Sequence, residues 1–94
     1  MTNVAPGPVW RGKVINRVRR IAGQVEAIER ALTGDADCSV TLQRVAAARG
    51  AINGLMDEIV ADHLRHHVAR PNLSDAQRAA GADELVALIR RYIK

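Results

Sequence analysis

Residues 38–71 read CSVTLQRVAAARGAINGLMDEIVADHLRHHVARP, a stretch whose only proline is its last residue. Its apolar residues recur at the three- and four-residue steps of a helix face, so the stretch predicts one long helix that stops at Pro71. A helix of about 33 residues is some 50 Å long, more than two shorter helices can cover. Its apolar face is therefore expected to need a second subunit. This face consists of Val40, Leu42, Val45, Ile52, Leu55, Met56, Ile59, Val60, Leu64 and Val68.

A shorter helix is predicted before this stretch, over residues 10–32. Its apolar stripe follows alternating steps of four and three residues, as one face of a helix does. Residues 33–35 then break the helix, and Gly34 is expected to take the left-handed conformation that is common just past a helix end. Either Asp35 or Asp37 is placed to cap the long helix. The stripe consists of Val14, Val18, Ile21, Val25, Ile28 and Leu32.

A third helix is predicted over residues 75–93. Ser74 and Gln77 stand at its start with the spacing of a capping box, in which each side chain binds the other residue's backbone N–H. The three segments together predict an all-α fold, a three-helix subunit with one long central helix. Residues 10–94 are expected to form a single helical domain. Residues 1–9, which contain two prolines and a glycine, are expected to form a mobile arm.

The 94 residues allow one small domain, and its core is aliphatic because the chain contains no Phe. No apolar segment approaches the length of roughly 20 residues that spans a bilayer. The first nine residues lack the basic start and apolar run of a signal peptide. The only cysteine, Cys38, has no partner for an internal disulfide. These features predict a soluble cytoplasmic protein without membrane contact.

Five basic residues precede the first acidic residue, Glu26, although the net charge of the whole chain is only +4. Exposed helices usually place acidic residues three or four positions from basic ones, and these bases have no such partners. A solvated helix face is the simplest interpretation of a run of charges. The missing acidic partners favour instead a surface that binds a polyanion, above all nucleic acid. The five bases are Arg11, Lys13, Arg17, Arg19 and Arg20.

Cys38, His63 and His67 share one side of the predicted long helix. The steps from Cys38 to His63 make about seven turns at about 100° per residue, and His67 lies about 40° further round. Along the helix axis, however, Cys38 and His63 are about 37 Å apart, so one chain cannot bring them together. A second copy laid antiparallel on this face would place its Cys38 beside the first copy's His63 and His67. Two equivalent sites shared between subunits would result.

A thiolate with two imidazoles is a borderline-soft donor set that suits Ni(II), Co(II) or Zn(II), whereas Cu(I) prefers a second thiolate. Taken singly, the three residues are more often structural than functional, but their shared helical phase favours a metal site. Asp62 is a candidate outer-shell partner, which would orient a metal ligand by a hydrogen bond, and His66 is expected on the surface. A catalytic Cys38–His63 pair is disfavoured, because so small a chain offers neither a substrate pocket nor a third, orienting residue.

The segments around these residues resemble one family of bacterial repressors. They are RVRRIAGQV at residues 17–25, Cys38, and VAAARGAINGLM at residues 45–56 followed by His63. This pattern is similar to that of the CsoR/RcnR/FrmR family, and the likeness covers residues 13–94. The resemblance implies an all-helical tetramer assembled from antiparallel dimers. It also implies operator DNA binding through a broad basic face and release of the DNA when an effector fills the Cys/His site.

The resemblance further implies roles for single residues. Cys38 and His63 match the two positions that nearly all branches share, and His67 stands where the branches differ. Cysteine there goes with copper sensing, histidine with nickel and cobalt sensing, and glutamate with formaldehyde sensing. The expected function is therefore a DNA-binding transcriptional repressor, not an enzyme, that nickel or cobalt releases from its operator. Residues that match the family's DNA-binding face are Lys13, Arg17, Arg20, Gln24, Arg49 and Asn53.

Two departures from the family pattern leave a formaldehyde-responsive repressor of the same fold as the alternative. Nickel/cobalt members use a further histidine near the amino terminus, whereas no histidine precedes Cys38 here. Formaldehyde sensors use an amino-terminal proline, whose secondary amine condenses with formaldehyde and bridges to the cysteine. Pro6 and Pro8 are internal, so their nitrogens are amides and not nucleophiles. In the alternative function, Cys38 is the nucleophile that formaldehyde modifies.

Overall fold

The computed structural model describes residues 8–93, with side chains described from Arg11 onward, and contains three α-helices and no strand in this range. They are α1 (Pro8–Thr33), α2 (Cys38–His67) and α3 (Asp75–Tyr92). The predicted all-α fold with a long central helix is thus confirmed. α1 begins two residues earlier than predicted, because a proline is well tolerated in the first turn of a helix. The remainder of the predicted arm, residues 1–7, lies outside the described residues.

The end of α1 differs from the prediction at the residue that takes the left-handed conformation. Asp35 has a φ of 58°, and no described glycine has a positive φ. The Ala36 N–H binds the Ala31 carbonyl at 2.8 Å, the long-range bond of a Schellman motif in which Asp35 is the left-handed residue. The prediction for Gly34 was wrong because α1 continues through Thr33, which moves the turn one residue along the chain.

The start of α3 confirms the predicted capping box. The Ser74 hydroxyl accepts a hydrogen bond from the Gln77 N–H at 3.1 Å, and the Ser74 N–H donates to Gln77 Oε1 at 2.9 Å. A cap of this kind typically contributes about 1 kcal/mol. At the start of α2, Asp37 directly precedes the helix, and its carboxylate accepts a hydrogen bond from the Ser39 hydroxyl at 3.4 Å.

The chain divides after Met56 into two compact units. The first unit contains α1 and the first part of α2, and Ala31 and Ala48 are its buried apolar residues. The second unit contains the end of α2 and all of α3. In it, Gly81 lies against the backbone of His67, so that a Cβ at position 81 would lie 2.7 Å from the His67 carbonyl carbon. The absence of a side chain at Gly81 is what lets α3 approach the end of α2 so closely.

Large apolar side chains remain exposed along α2. Val45, Ile52 and Ile59 are each nearly half exposed and follow Cys38 at steps of seven residues, which keeps them near one line on a helix. An exposed apolar stripe of this kind is typical of an interaction surface. Within residues 8–93, no helix combines the length and apolar character that crossing a membrane requires.

Candidate functional site

His63 and His67 lie on the last turns of α2 with their rings in contact. The ring centroids are 4.5 Å apart, and the ring planes are inclined by 39°. The four-residue spacing explains this, since side chains at i and i+4 share a helix face. The structure therefore brings together two of the three predicted metal ligands.

His63 also faces α3. Its Nε2 lies 3.4 Å from the Gly81 carbonyl oxygen and 3.6 Å from Glu84 Oε2. The His63 side chain is only 15% exposed, so the ring is held in this position by its surroundings. An N–H on Nε2, directed at these oxygens, would leave the lone pair of Nδ1 for a metal ion.

Glu84 is a residue of this cluster that was not predicted from the sequence. Its Oε2 is buried and makes no hydrogen bond to any described residue, and its distance to His63 Nε2 is slightly longer than a hydrogen bond. A buried carboxylate oxygen without a partner is costly. If His63 carries its proton on Nε2, a small shift of the ring would bring that N–H into hydrogen-bond range.

The neighbouring residues His66 and Asp62 pair with each other. His66 Nε2 lies 3.2 Å from Asp62 Oδ1, and Asp62 is 5% exposed. Asp62, predicted as a partner of a metal ligand, thus pairs with His66 instead, and the His66 side chain, predicted on the surface, is 35% exposed. The physical reason is helical spacing, because Asp62 and His66 are four residues apart, whereas consecutive residues diverge by about 100°.

Cys38 is the first residue of α2 and carries an exposed free thiol. In the part of one chain that the structure describes, no three His, Cys, Asp or Glu side chains are close enough to hold a metal ion. One chain supplies two neighbouring imidazoles at the end of α2 and one accessible thiol at its start. These are the donor types of the predicted site.

Three of the predicted DNA-binding residues line one cavity in the first unit. Arg17, Arg20 and Gln24 of α1 line it together with Ala51 of α2; it is partly open to solvent and has a volume of about 80 Å³. Gln24 Oε1 is buried and accepts no hydrogen bond from a described residue. The other predicted residues of this face, Lys13, Arg49 and Asn53, are exposed.

The comparisons with known proteins decide the family. A sequence model described as a metal-sensitive transcriptional repressor matches residues 11–91. The chain belongs to the metal-sensitive transcriptional repressor family. Members of this family are transcriptional repressors and not enzymes, as predicted, and a repressor acts by binding operator DNA. The family description implies a metal ion as effector without identifying the metal.

Individual relatives of this repressor family agree with the assignment. The transcriptional repressor RcnR of Salmonella paratyphi B is 37% identical over 82 residues, which cover 87% of this chain and 90% of RcnR. An uncharacterized protein in the bioA 5′ region of Serratia marcescens is 45% identical over 82 residues, which cover 87% of this chain and 90% of that protein. Among solved structures, a variant of the formaldehyde-responsive regulator FrmR from Salmonella enterica serovar Typhimurium, in which one glutamate is replaced by histidine, matches with a TM-score of 0.84 and 44% identity. That match covers 95% of this chain and 100% of the FrmR chain.

Proposed function

We propose that this chain is a cytoplasmic transcriptional repressor whose affinity for operator DNA falls when nickel or cobalt binds to Cys38, His63 and His67. The observation that carries the proposal is the contact between the His63 and His67 rings, with centroids 4.5 Å apart. Two imidazoles one helical turn apart supply two ligands from a single helix, as in the helical zinc motifs with histidines at i and i+4. Zn(II) suits the same donor set, whereas Cu(I) lacks a second thiolate.

The third ligand is Cys38 of a second copy. The exposed stripe of Val45, Ile52 and Ile59 continues from Cys38 along α2, and a second helix laid antiparallel on this stripe would cover it. The same arrangement places the thiol at the start of one α2 beside the histidines at the end of the other. Two such sites per dimer follow from the symmetry, and two dimers form the proposed tetramer.

The contacts of His63 indicate how the site is linked to the rest of the subunit. A bound nickel or cobalt ion would supply a positive centre that joins the thiolate of one subunit to the imidazoles of the next. His63 Nε2 faces Gly81 and Glu84 of α3, which leaves Nδ1 as the nitrogen available to this site. A proton on Nε2 would be directed at the Gly81 and Glu84 oxygens, so movement of the ring would change its contacts with α3. Coupling between effector and DNA is typically about 1 to 3 kcal/mol and is reciprocal.

Fluorescence anisotropy of labelled operator DNA tests this function. The reduced protein is bound to DNA from its own upstream region and titrated separately with Ni(II), Co(II), Zn(II), Cu(I) and formaldehyde. We expect nickel or cobalt to release the DNA, and sedimentation of the same samples to give an assembly of more than one chain. DNA that stays bound at saturating nickel and cobalt would exclude the proposed effectors.

A formaldehyde-responsive repressor is the second candidate, and two observations favour it. The solved structure that matches at a TM-score of 0.84 is that of a formaldehyde-responsive regulator, and Cys38 is an exposed free thiol. The Cys38 sulfur would add to the carbonyl carbon of formaldehyde. A C–S bond forms as the C=O π bond breaks, and the thiol proton moves to the formaldehyde oxygen. An amine would then displace the hydroxyl as water, leaving a methylene bridge. Release by formaldehyde alone, with one added carbon on Cys38 by mass spectrometry, would establish this candidate instead.

Removal of the Glu84 charge is expected to weaken nickel binding by about 10- to 100-fold, the usual effect of losing a group that orients a metal-binding histidine. Glu84→Gln keeps the size of the side chain but replaces the carboxylate that faces His63 Nε2. Competition with a coloured chelator measures the affinity. Asp83→Asn is the matched control, because it removes the same charge from the exposed neighbouring residue. Equal nickel affinities of the two variants would show that Glu84 does not orient His63.

A further inference from the structure

Arg17 of α1 lies over Gly54 of α2. A Cβ built on Gly54 would lie 3.3 Å from Arg17 Nη1, closer than ordinary van der Waals contact. Gly50, one turn earlier on the same helix, offers a contrast, because no described atom beyond its own stretch of helix lies within 4 Å of a Cβ built there. Glycine in a helix interior is less favourable than alanine. At position 54, a Cβ would require Arg17 Nη1 to move by a few tenths of an ångström, so glycine permits the closer approach of the guanidinium.

The guanidinium at Gly54 also lines the cavity that Arg17 shares with Arg20, Gln24 and Ala51. Within residues 8–93, no carboxylate lies at ion-pair distance from Arg17 or Arg20; the acidic partners of arginine in this range, Glu26 and Glu58, pair with other arginines. Gln24 Oε1 is buried and accepts no hydrogen bond from a described residue; because the oxygen and nitrogen of an amide are distinguished only by their partners, a half-turn of the amide would direct its N–H groups there instead. The cavity is therefore lined by hydrogen-bond donors and by two positive charges that no described acidic residue neutralises.

We propose that Gly54 is a positioning residue for DNA binding, because it lets the Arg17 guanidinium lie against α2. In this position, Arg17, Arg20 and Gln24 together bind one backbone phosphate of the duplex. Guanidinium groups match the oxygens of a phosphate in pairs, and the match depends on direction as well as charge. A guanidinium held against a helix backbone keeps its direction better than one that extends freely into solvent, as the exposed Arg19 does. The inference rests on the proposed repressor function.

Four variants test the positioning role: Gly54→Ala, Gly50→Ala, Arg17→Ala and the double variant Arg17→Ala with Gly54→Ala. Operator affinity is measured by anisotropy over a series of salt concentrations. Gly54→Ala is expected to weaken binding by about threefold to tenfold, a part of what a charge-assisted hydrogen bond contributes, and Gly50→Ala to leave it unchanged. Arg17→Ala should lower the slope of log affinity against log salt by about one, as loss of one phosphate contact does. In the Arg17→Ala protein, Gly54→Ala should add no further loss.

The outcomes separate this inference from the proposed function. If the unmodified protein binds no operator DNA even at low salt, the repressor function itself is wrong. If Arg17→Ala weakens binding but Gly54→Ala behaves like Gly50→Ala, or if Gly54→Ala still weakens binding without Arg17, the positioning role is wrong. A nuclear Overhauser effect between the Gly54 α-protons and the Arg17 side chain is expected in the unmodified protein. Its absence would overturn the inference even where a variant fails to fold.

Discussion

Replacing His67 by glutamine is expected to weaken nickel or cobalt binding by more than about 100-fold, beyond the usual effect of changing an outer-shell partner. Metal-dependent release of operator DNA should be lost with it. His67 lies against His63 with 4.5 Å between ring centroids, and without its imidazole the proposed site keeps one histidine and one thiolate. The DNA affinity of the metal-free protein should not change, because His67 belongs to the second unit and the predicted DNA-binding residues to the first.

The neighbouring histidine provides a close control for this experiment. His66→Gln makes the same chemical change one residue earlier, at a side chain that pairs with Asp62 and not with His63. Glutamine retains an N–H that can donate to the buried Asp62 carboxylate, so the control does not leave that charge without a hydrogen bond. Isothermal titration of both variants with nickel should separate them clearly. If both lose metal affinity equally, the cause is the structure of the helix end and not ligation by His67.

The features that the sequence predicted correctly are set by residues close together in the chain. The capping box depends on Ser74 and Gln77, three residues apart, and the contact between His63 and His67 depends on a spacing of four. The pair of Asp62 and His66 has the same spacing and was open to prediction from the sequence. The prediction for Asp62 concerned only the metal ligands and not its neighbour one turn along the helix.

Contacts between helices could not be predicted in the same way. Glu84 reaches His63 because α3 packs closely on the end of α2 at Gly81, and no spacing in the sequence encodes that approach. The contact of Arg17 with Gly54 likewise depends on how α1 meets α2. The left-handed residue after α1 was misplaced for a local reason, since one extra helical residue moved it from Gly34 to Asp35.

Gly81→Ala is expected to destabilise the protein by about 2 to 3 kcal/mol, towards the upper end of the usual cost of overpacking. The added Cβ would meet the carbonyl group of His67, which is helix backbone and cannot turn aside as a flexible side chain does. The loss outweighs the gain of up to about 1 kcal/mol that alanine offers over glycine inside a helix. Thermal unfolding followed by circular dichroism should show a melting temperature lower by about 10 to 20 °C for a domain of this size.

Gly23→Ala is the matched control, and it should have the opposite sign. Gly23 is exposed on α1 with no described atom within 4 Å of a Cβ built there, so alanine should stabilise the protein by about 0.5 to 1 kcal/mol. A Gly81→Ala protein that melts at or above the temperature of the unmodified chain would contradict the close packing of α3 on α2. To make room for the added Cβ, α3 must move away from the end of α2. Because the Gly81 carbonyl oxygen lies 3.4 Å from His63 Nε2, this movement also changes the surroundings of the His63 imidazole. Nickel affinity should therefore fall together with stability in Gly81→Ala, whereas Gly23→Ala should leave nickel affinity unchanged.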